Sequence, residues 1–178
     1  MKKLLSLLVT ALLVGAALTS CGGSESGDDS GKSGISDTKA AVYTVTLDSG
    51  AVIKIGDDAD PVISALGTHL DLMEAPSCVH EGTDRVYMYD GYTVTTSPRA
   101  DGSQYVAEIT LTSDVVALDN GVYIGCSVDE LTAAFGDDYK DSFGVYTYTL
   151  EGATVSAVID GDAVSALTIS SADAADAK

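Results

Sequence analysis

The chain has 178 residues, and its 27 Asp and Glu against nine Lys and Arg give a formal net charge of −18. This balance disfavours a nucleic-acid-binding protein, which needs a basic face to neutralise phosphates. It is typical of a solubilising surface that repels neighbouring proteins, with several acidic metal sites as the sharper alternative. The part expected to fold is long enough for one ordinary domain.

The first 20 residues predict a signal peptide. Lys2 and Lys3 precede a short apolar run that ends in small residues, a pattern of export signals rather than of membrane-spanning helices. Leu18-Thr19-Ser20-Cys21 then resembles the lipobox of bacterial lipoproteins. The resemblance implies that Cys21 is the lipidated first residue of the mature chain, anchored at the extracytoplasmic face of the cell membrane. An ordinary export signal followed by a chance cysteine is the alternative.

Residues 21–40 are rich in Gly, Ser and Asp and hold one large apolar residue, Ile35. Such a segment predicts a flexible linker with a reach of roughly 25 Å. Residues 171–178 are rich in Ala and Asp and predict a frayed tail.

Two segments of equal length, Gly56–Gly67 and Gly125–Gly136, share one pattern: a glycine turn, a short amphipathic helix and a glycine stop. Asp58 is the expected N-cap of the first helix. Ser127 and Glu130 have the spacing of a capping box in the second. The pattern predicts a duplicated unit.

Each predicted helix is followed by three β-branched or aromatic runs separated by glycine turns. The expected fold class is α+β: two tandem helix-plus-three-strand repeats that form an antiparallel sheet with two short helices on one face. The duplicated domain spans 41–170, with unit one at about 51–112 and unit two at about 121–170. Residues 68–85 show no period and predict a long loop inserted in unit one.

The segment from Pro76-Ser77-Cys78 to Tyr87-Met88-Tyr89 resembles a Pro-Ser-Cys-x-x-x-Gly-x-Asp-x-x-Tyr-x-Tyr motif of uncharacterised cell-surface lipoproteins from Gram-positive anaerobes. Val79 and His80 replace the Ala-Phe that is usual there. The repeat of a strand, a capped helix and a meander also resembles β-lactamase-inhibitory-protein-like and outer-membrane-assembly lipoprotein modules. The resemblance implies a fold and a location and brings no activity.

Cys78 and Cys126 remain once Cys21 is assigned to lipid, and in an exported domain they predict a disulfide. The alternatives are two separate buried thiols and a reactive Cys126 thiolate at a helix start. His80, two residues after Cys78, suggests a metal site or a Cys/His nucleophile. No further Cys or His stands at ligand spacing, so no metal and no cofactor are predicted.

Four tyrosines, two per unit, fall on one strand face: Tyr87, Tyr89, Tyr146 and Tyr148. They are either half-buried sheet residues or, with His80, a binding surface for a protein or an envelope polymer. The expected function is a lipid-anchored, non-catalytic binding module. The alternatives are an envelope hydrolase or thiol-dependent enzyme that uses the Cys78/His80 loop, and, by fold analogy, a structural assembly factor.

Overall fold

A computed structural model describes residues 44–172. The predicted signal peptide, Cys21, the linker and the last six residues lie outside this range. Within it the elements are, in chain order, β1 (Thr44–Thr46), β2 (Val52–Lys54), α1 (Ala59–Leu66), β3 (Asp71–Pro76), β4 (Thr83–Tyr89), β5 (Tyr92–Pro98), β6 (Gln104–Leu111), α2 (Val128–Phe135), β7 (Lys140–Ser142), β8 (Val145–Leu150), β9 (Ala153–Asp160) and β10 (Ala163–Ser171).

Eight of the strands form one antiparallel sheet in the order β3-β4-β5-β6-β10-β9-β8-β7. Each half of this sheet is a four-strand meander that follows a helix: α1 precedes β3 to β6, and α2 precedes β7 to β10. The halves join where β6 pairs with β10, with Leu167 opposite Leu111 and Ile169 opposite Ile109. The strands β1 and β2 form a separate hairpin.

The prediction of an α+β fold built from helix-plus-three-strand repeats is wrong. The described structure is mostly β, with two helices of eight residues each, and each helix is followed by four strands. The missed strands are β3 and β7. All residues of both strands are exposed, and β7 is only three residues long. Neither strand therefore carries the alternating apolar pattern that marks a half-buried strand.

The long loop predicted between residues 68 and 85 is also wrong. It contains β3, which pairs with β4 from Asp71 opposite Met88 to Pro76 opposite Thr83. A six-residue turn at 77–82 then joins the two strands, whereas Phe143 and Gly144 alone join β7 to β8. The greater length of the first half therefore comes from a longer edge strand and a longer turn.

One face of the eight-stranded sheet packs against the rest of the described chain. Alternate sheet residues on this face, such as Val94, Ile109 and Val155, belong to a single buried cluster. The hairpin contributes Val45 and Ile53 to the cluster; the helices contribute Val62 and Leu131; the segment 112–127 contributes Leu118, Val122 and Cys126. Burial of this apolar surface is the main stabilising term of the fold.

The two helix starts are built differently. Ser127 accepts a hydrogen bond from the Glu130 N–H (3.2 Å), and the Glu130 carboxylate accepts one from the Ser127 N–H (2.8 Å), so the capping box is present. Asp58 stands at the N-cap of α1, but its side chain makes no capping bond. Its carboxylate instead accepts a hydrogen bond from Arg99 Nη1 at 2.7 Å.

Candidate functional site

The face of the large sheet opposite the helices carries a continuous array of hydroxyl side chains, which we call the hydroxyl face. Period-two alternation places them there, because their strand neighbours point into the core. Paired positions run across five adjacent strands, β5, β6, β10, β9 and β8. The hydroxyl face comprises Thr93, Thr95, Thr110, Thr168, Ser170, Thr154, Ser156, Thr147 and Thr149, with Glu108 among them.

No described element covers the hydroxyl face. Most of its side chains are part-exposed and Thr149 is exposed, in contrast to the fully buried residues that alternate with them. Five strands at about 4.8 Å spacing make a surface roughly 20 Å wide. Apolar side chains adjoin it: Met73 on β3, two strands beyond β5, is 57% exposed, and Val158, further along β9, is 40% exposed.

The seam between the two sheet halves lies within the hydroxyl face. Thr110 Oγ1 and Thr168 Oγ1 are 3.2 Å apart and hydrogen bonded across the seam. Thr110 also donates to Glu108 Oε1 at 3.3 Å. Glu108 lies opposite Thr95 on one neighbouring strand and Ser170 on the other, so its carboxylate stands inside the hydroxyl array.

Glu108 has no cationic partner in the described part of the chain. The two ion pairs there join Arg85 to Glu74 and Arg99 to Asp58. The five strands of the hydroxyl face contain no Lys or Arg at all. The neighbours of the half-buried Glu108 carboxylate on this face are therefore hydroxyl groups and not cations.

The tyrosines predicted as a binding surface lie on the opposite, helix-bearing face. Tyr146 and Tyr148 on β8 pack with Tyr139, which stacks on Tyr146 at 4.2 Å between ring centroids. Phe135 of α2 adds a fourth ring, 5.1 Å from Tyr148. The hydrogen bond with Tyr139 raises the pKa of Tyr146, and burial raises the pKa of Tyr148 to about 12.

The first half of the sheet holds the equivalent cluster. His69 packs edge-on against Tyr87 and Tyr89, at 5.4 and 6.5 Å between ring centroids. Tyr89 also stacks on Tyr92, whose pKa burial raises to about 12. Four strands separate β4 from β8, so the two pairs of tyrosines form two separate packing clusters instead of one continuous surface.

The predicted disulfide is absent, and the two thiols are free. Cys78 is exposed in the turn at the outer edge of the sheet, whereas Cys126 is 1% exposed in the core beside α2. Burial raises the pKa of the Cys126 thiol, which disfavours the alternative of a reactive thiolate at this helix start.

His80 is exposed in the same turn as Cys78. A nucleophile and its base are expected in a pocket that excludes water. Two cavities in the described part of the chain lie elsewhere: one of about 560 Å³ between the β1–β2 hairpin and residues 115–119, and one of about 440 Å³ between the start of α2 and the β9–β10 turn.

Neither a metal centre nor a membrane span is found in the described residues. No group of three or more His, Cys, Asp or Glu side chains among residues 44–172 could hold a metal ion. Within the same residues, no helix has the length and apolar character that a membrane crossing requires.

The sequence reasoning missed the hydroxyl face, although a signal for it was present. Thr alternates with apolar residues in Thr93-Val94-Thr95 and in Thr147-Tyr148-Thr149, as expected for strands with one face in the core. The sequence alone does not predict that five such strands lie side by side, or that Glu108 lies among their hydroxyl side chains. That depends on the β6–β10 pairing between residues nearly 60 positions apart.

Comparison with family models, with curated proteins and with solved structures gave no match to this chain.

Proposed function

We propose that this chain is a lipid-anchored, extracytoplasmic binding module with no catalytic role, and that its hydroxyl face docks a protein partner. The observation that carries the proposal is that nothing among residues 44–172 covers the hydroxyl face, whereas the opposite face of the sheet is packed against the core. Antiparallel sheets can leave one face to water, but this face also has apolar margins and an unpaired internal carboxylate.

A protein fits this face better than an envelope polymer. Sugar rings are commonly held by aromatic side chains, and the tyrosines of β4, Tyr92 of β5 and the tyrosines of β8 belong to the helix-bearing face. Threonine offers a methyl group and a hydroxyl together, which suits the mixed apolar and hydrogen-bonded character of protein interfaces. Extended over all eight strands, the sheet approaches the roughly 800 Å² per partner of a standard interface.

The location rests on the N-terminal sequence. The lipobox-like Leu18-Thr19-Ser20-Cys21 and the Gly/Ser/Asp linker support a domain tethered to the outer face of the cell membrane. The motif resemblance to cell-surface lipoproteins of Gram-positive anaerobes points the same way. The enzyme alternative has less support, because Cys78 and His80 lie exposed in a turn outside both described cavities.

Site-specific photo-crosslinking in producing cells tests the proposal. A benzophenone amino acid replaces Thr149, which is exposed on the hydroxyl face, or Ala133, which is exposed on α2. We expect a discrete protein adduct from position 149 and none of that mass from position 133. Adducts of equal yield from both positions, or an adduct from position 133 alone, would contradict the docking role of the hydroxyl face.

A further inference from the structure

We propose that the partner of the hydroxyl face is a basic protein that places a Lys or Arg side chain against Glu108. The inference rests on the proposed function and adds the chemistry of the partner and the residue of this chain that selects it.

The first step is the position of Glu108. It lies inside the hydroxyl array, between Thr95 and Ser170 on the neighbouring strands, and its Oε1 accepts a hydrogen bond from Thr110 at 3.3 Å. A partner that covers the array must therefore cover this carboxylate. Covering a carboxylate removes it from solvent, which is unfavourable unless donors on the partner replace the lost hydration. A Lys or Arg side chain does so most fully, because it supplies hydrogen bonds and the opposite charge together.

The second step is that this chain does not supply that opposite charge in its described part. Its four described cations are Lys54, Arg85, Arg99 and Lys140. Arg85 and Arg99 are held by Glu74 and Asp58, while Lys54 lies on the separate hairpin and Lys140 on the far edge strand β7. None of these four cations is placed against Glu108, and in the proposed complex the partner supplies the compensating charge.

The third step is that a carboxylate at this position discriminates between partner proteins as well as binding one of them. A hydroxyl array without charge could accept many surfaces, because threonine and serine both donate and accept hydrogen bonds. One carboxylate inside it rejects partners that bring an apolar or acidic group to the same point. The net charge of −18 acts in the same direction, since it steers basic proteins towards this chain and repels acidic ones.

The experiment uses the full-length chain in producing cells, with the benzophenone amino acid at position 149 as the probe. Glu108→Gln removes the charge and keeps the shape, and Glu108→Lys reverses the charge. Glu151→Gln is the matched control, because it makes the same chemical change in the exposed turn between β8 and β9.

We expect Glu108→Gln to lower the affinity for the captured protein at least about tenfold, and the yield of the adduct with it. The reason is that removing one member of a covered charge pair mainly speeds dissociation. Glu108→Lys abolishes the adduct and Glu151→Gln leaves it unchanged. Replacing the Lys or Arg nearest the crosslinked peptide of the partner by Glu restores binding to Glu108→Lys. Unchanged thermal unfolding midpoints show that the variants fold.

An adduct that persists at full yield in both Glu108 variants overturns the inference and leaves the docking role standing. Loss of the adduct in Glu151→Gln to the same extent also overturns it, because total charge, and not Glu108, would then control binding. Absence of any adduct from position 149 in the otherwise unaltered chain overturns the proposed function and this inference together.

Discussion

The two halves of the large sheet follow the same order of elements but hold their helices by different means. In the second half, α2 starts at a local capping box formed by Ser127 and Glu130. In the first half, Arg99 reaches back from the end of β5 to the Asp58 carboxylate and to the Gly56 carbonyl oxygen at 2.8 Å. One half therefore relies on residues three positions apart, and the other on residues about forty apart.

The corresponding positions of the two halves also carry different side chains. The ring that packs on the paired tyrosines is His69 in the first half and Tyr139 in the second. Cys126 is buried in the core where the first copy of the pattern has Asp57, which is exposed.

Replacing Arg99 by Met should reveal the largest difference in stability between the two helix starts. The variant loses the ion pair with Asp58, the bond to Gly56 and the guanidinium that lies 5.1 Å from the centre of the Tyr105 ring. We expect the free energy of unfolding, measured by urea denaturation, to fall by about 2 kcal/mol.

The matched change in the second half is Ser127→Ala, which removes the local cap and should cost about 1 kcal/mol. Arg99→Lys keeps the charge but not the forked geometry and should lie between these two values. An Arg99→Met loss no larger than that of Ser127→Ala would show that the long-range contacts of Arg99 add little to the start of α1.

The features of this fold that the sequence predicts are those that depend on contacts between residues close together in the chain. Ser127 and Glu130 lie within one helical turn, so their capping box is readable and is present. Asp58 is also a typical N-cap residue, but its carboxylate accepts a hydrogen bond from Arg99, which is distant in the sequence, instead of capping the helix. The edge strands β3 and β7 are defined by pairing with β4 and β8, and their own exposed residues carry no apolar alternation.

The candidate site follows the same division. The pairs Tyr87/Tyr89 and Tyr146/Tyr148 are visible in the sequence, yet period-two alternation alone does not say which face of the sheet will carry the helices. In the structure, the packing of these tyrosines against His69 and Tyr139 shows that they lie on the helix-bearing face. Glu108 became a candidate once the pairing of β6 with β10 placed it beside Ser170.

Tyr148 offers a second test of the two halves, through pH. Its side chain is 1% exposed and its Oη has no hydrogen-bond partner among residues 44–172. We expect Tyr148→Phe to raise the free energy of unfolding by about 1–2 kcal/mol at pH 7, because it removes an unsatisfied buried hydroxyl.

Burial also raises the pKa of Tyr148 to about 12, against about 10 for an unfolded phenol. The neutral phenol is the form that the folded state favours, so this contribution to stability is complete below about pH 10 and is lost as the pH rises from about 10 to 12. Urea denaturation at pH 7 and pH 10.5 should show a smaller alkaline loss for Tyr148→Phe than for the unaltered chain.

Tyr89→Phe is the counterpart in the first half, where Oη is also unpartnered among the described residues and the side chain is 8% exposed. Burial raises the pKa of Tyr89 too, but Tyr148 is the more deeply buried ring, and its variant should show the greater change. Equal changes in both variants would contradict the difference in burial between the two clusters.

The third comparison is between the two edge strands of the sheet, β3 in the first half and β7 in the second. On β3 the Leu72 N–H donates to the Asp71 carboxylate at 2.8 Å and Pro76 has no N–H, so two backbone donors are withdrawn from a long edge strand. On β7 the edge is kept short by a two-residue turn at Phe143 and Gly144, both with positive φ. Phe143 is the one non-glycine residue with positive φ in the described range, and its side chain is fully exposed.

Phe143→Asn should therefore raise the free energy of unfolding by about 1 kcal/mol, because Asn adopts φ values near 55° at a lower cost and no ring burial is lost. Gly144→Ala, at φ 82°, should lower it by a similar amount, since it adds a side chain to the same turn. Thermal denaturation of both variants measures the pair. A destabilised Phe143→Asn would mean that the phenyl ring has packing contacts in solution, and the short edge would then be held by its side chain as well as by its turn.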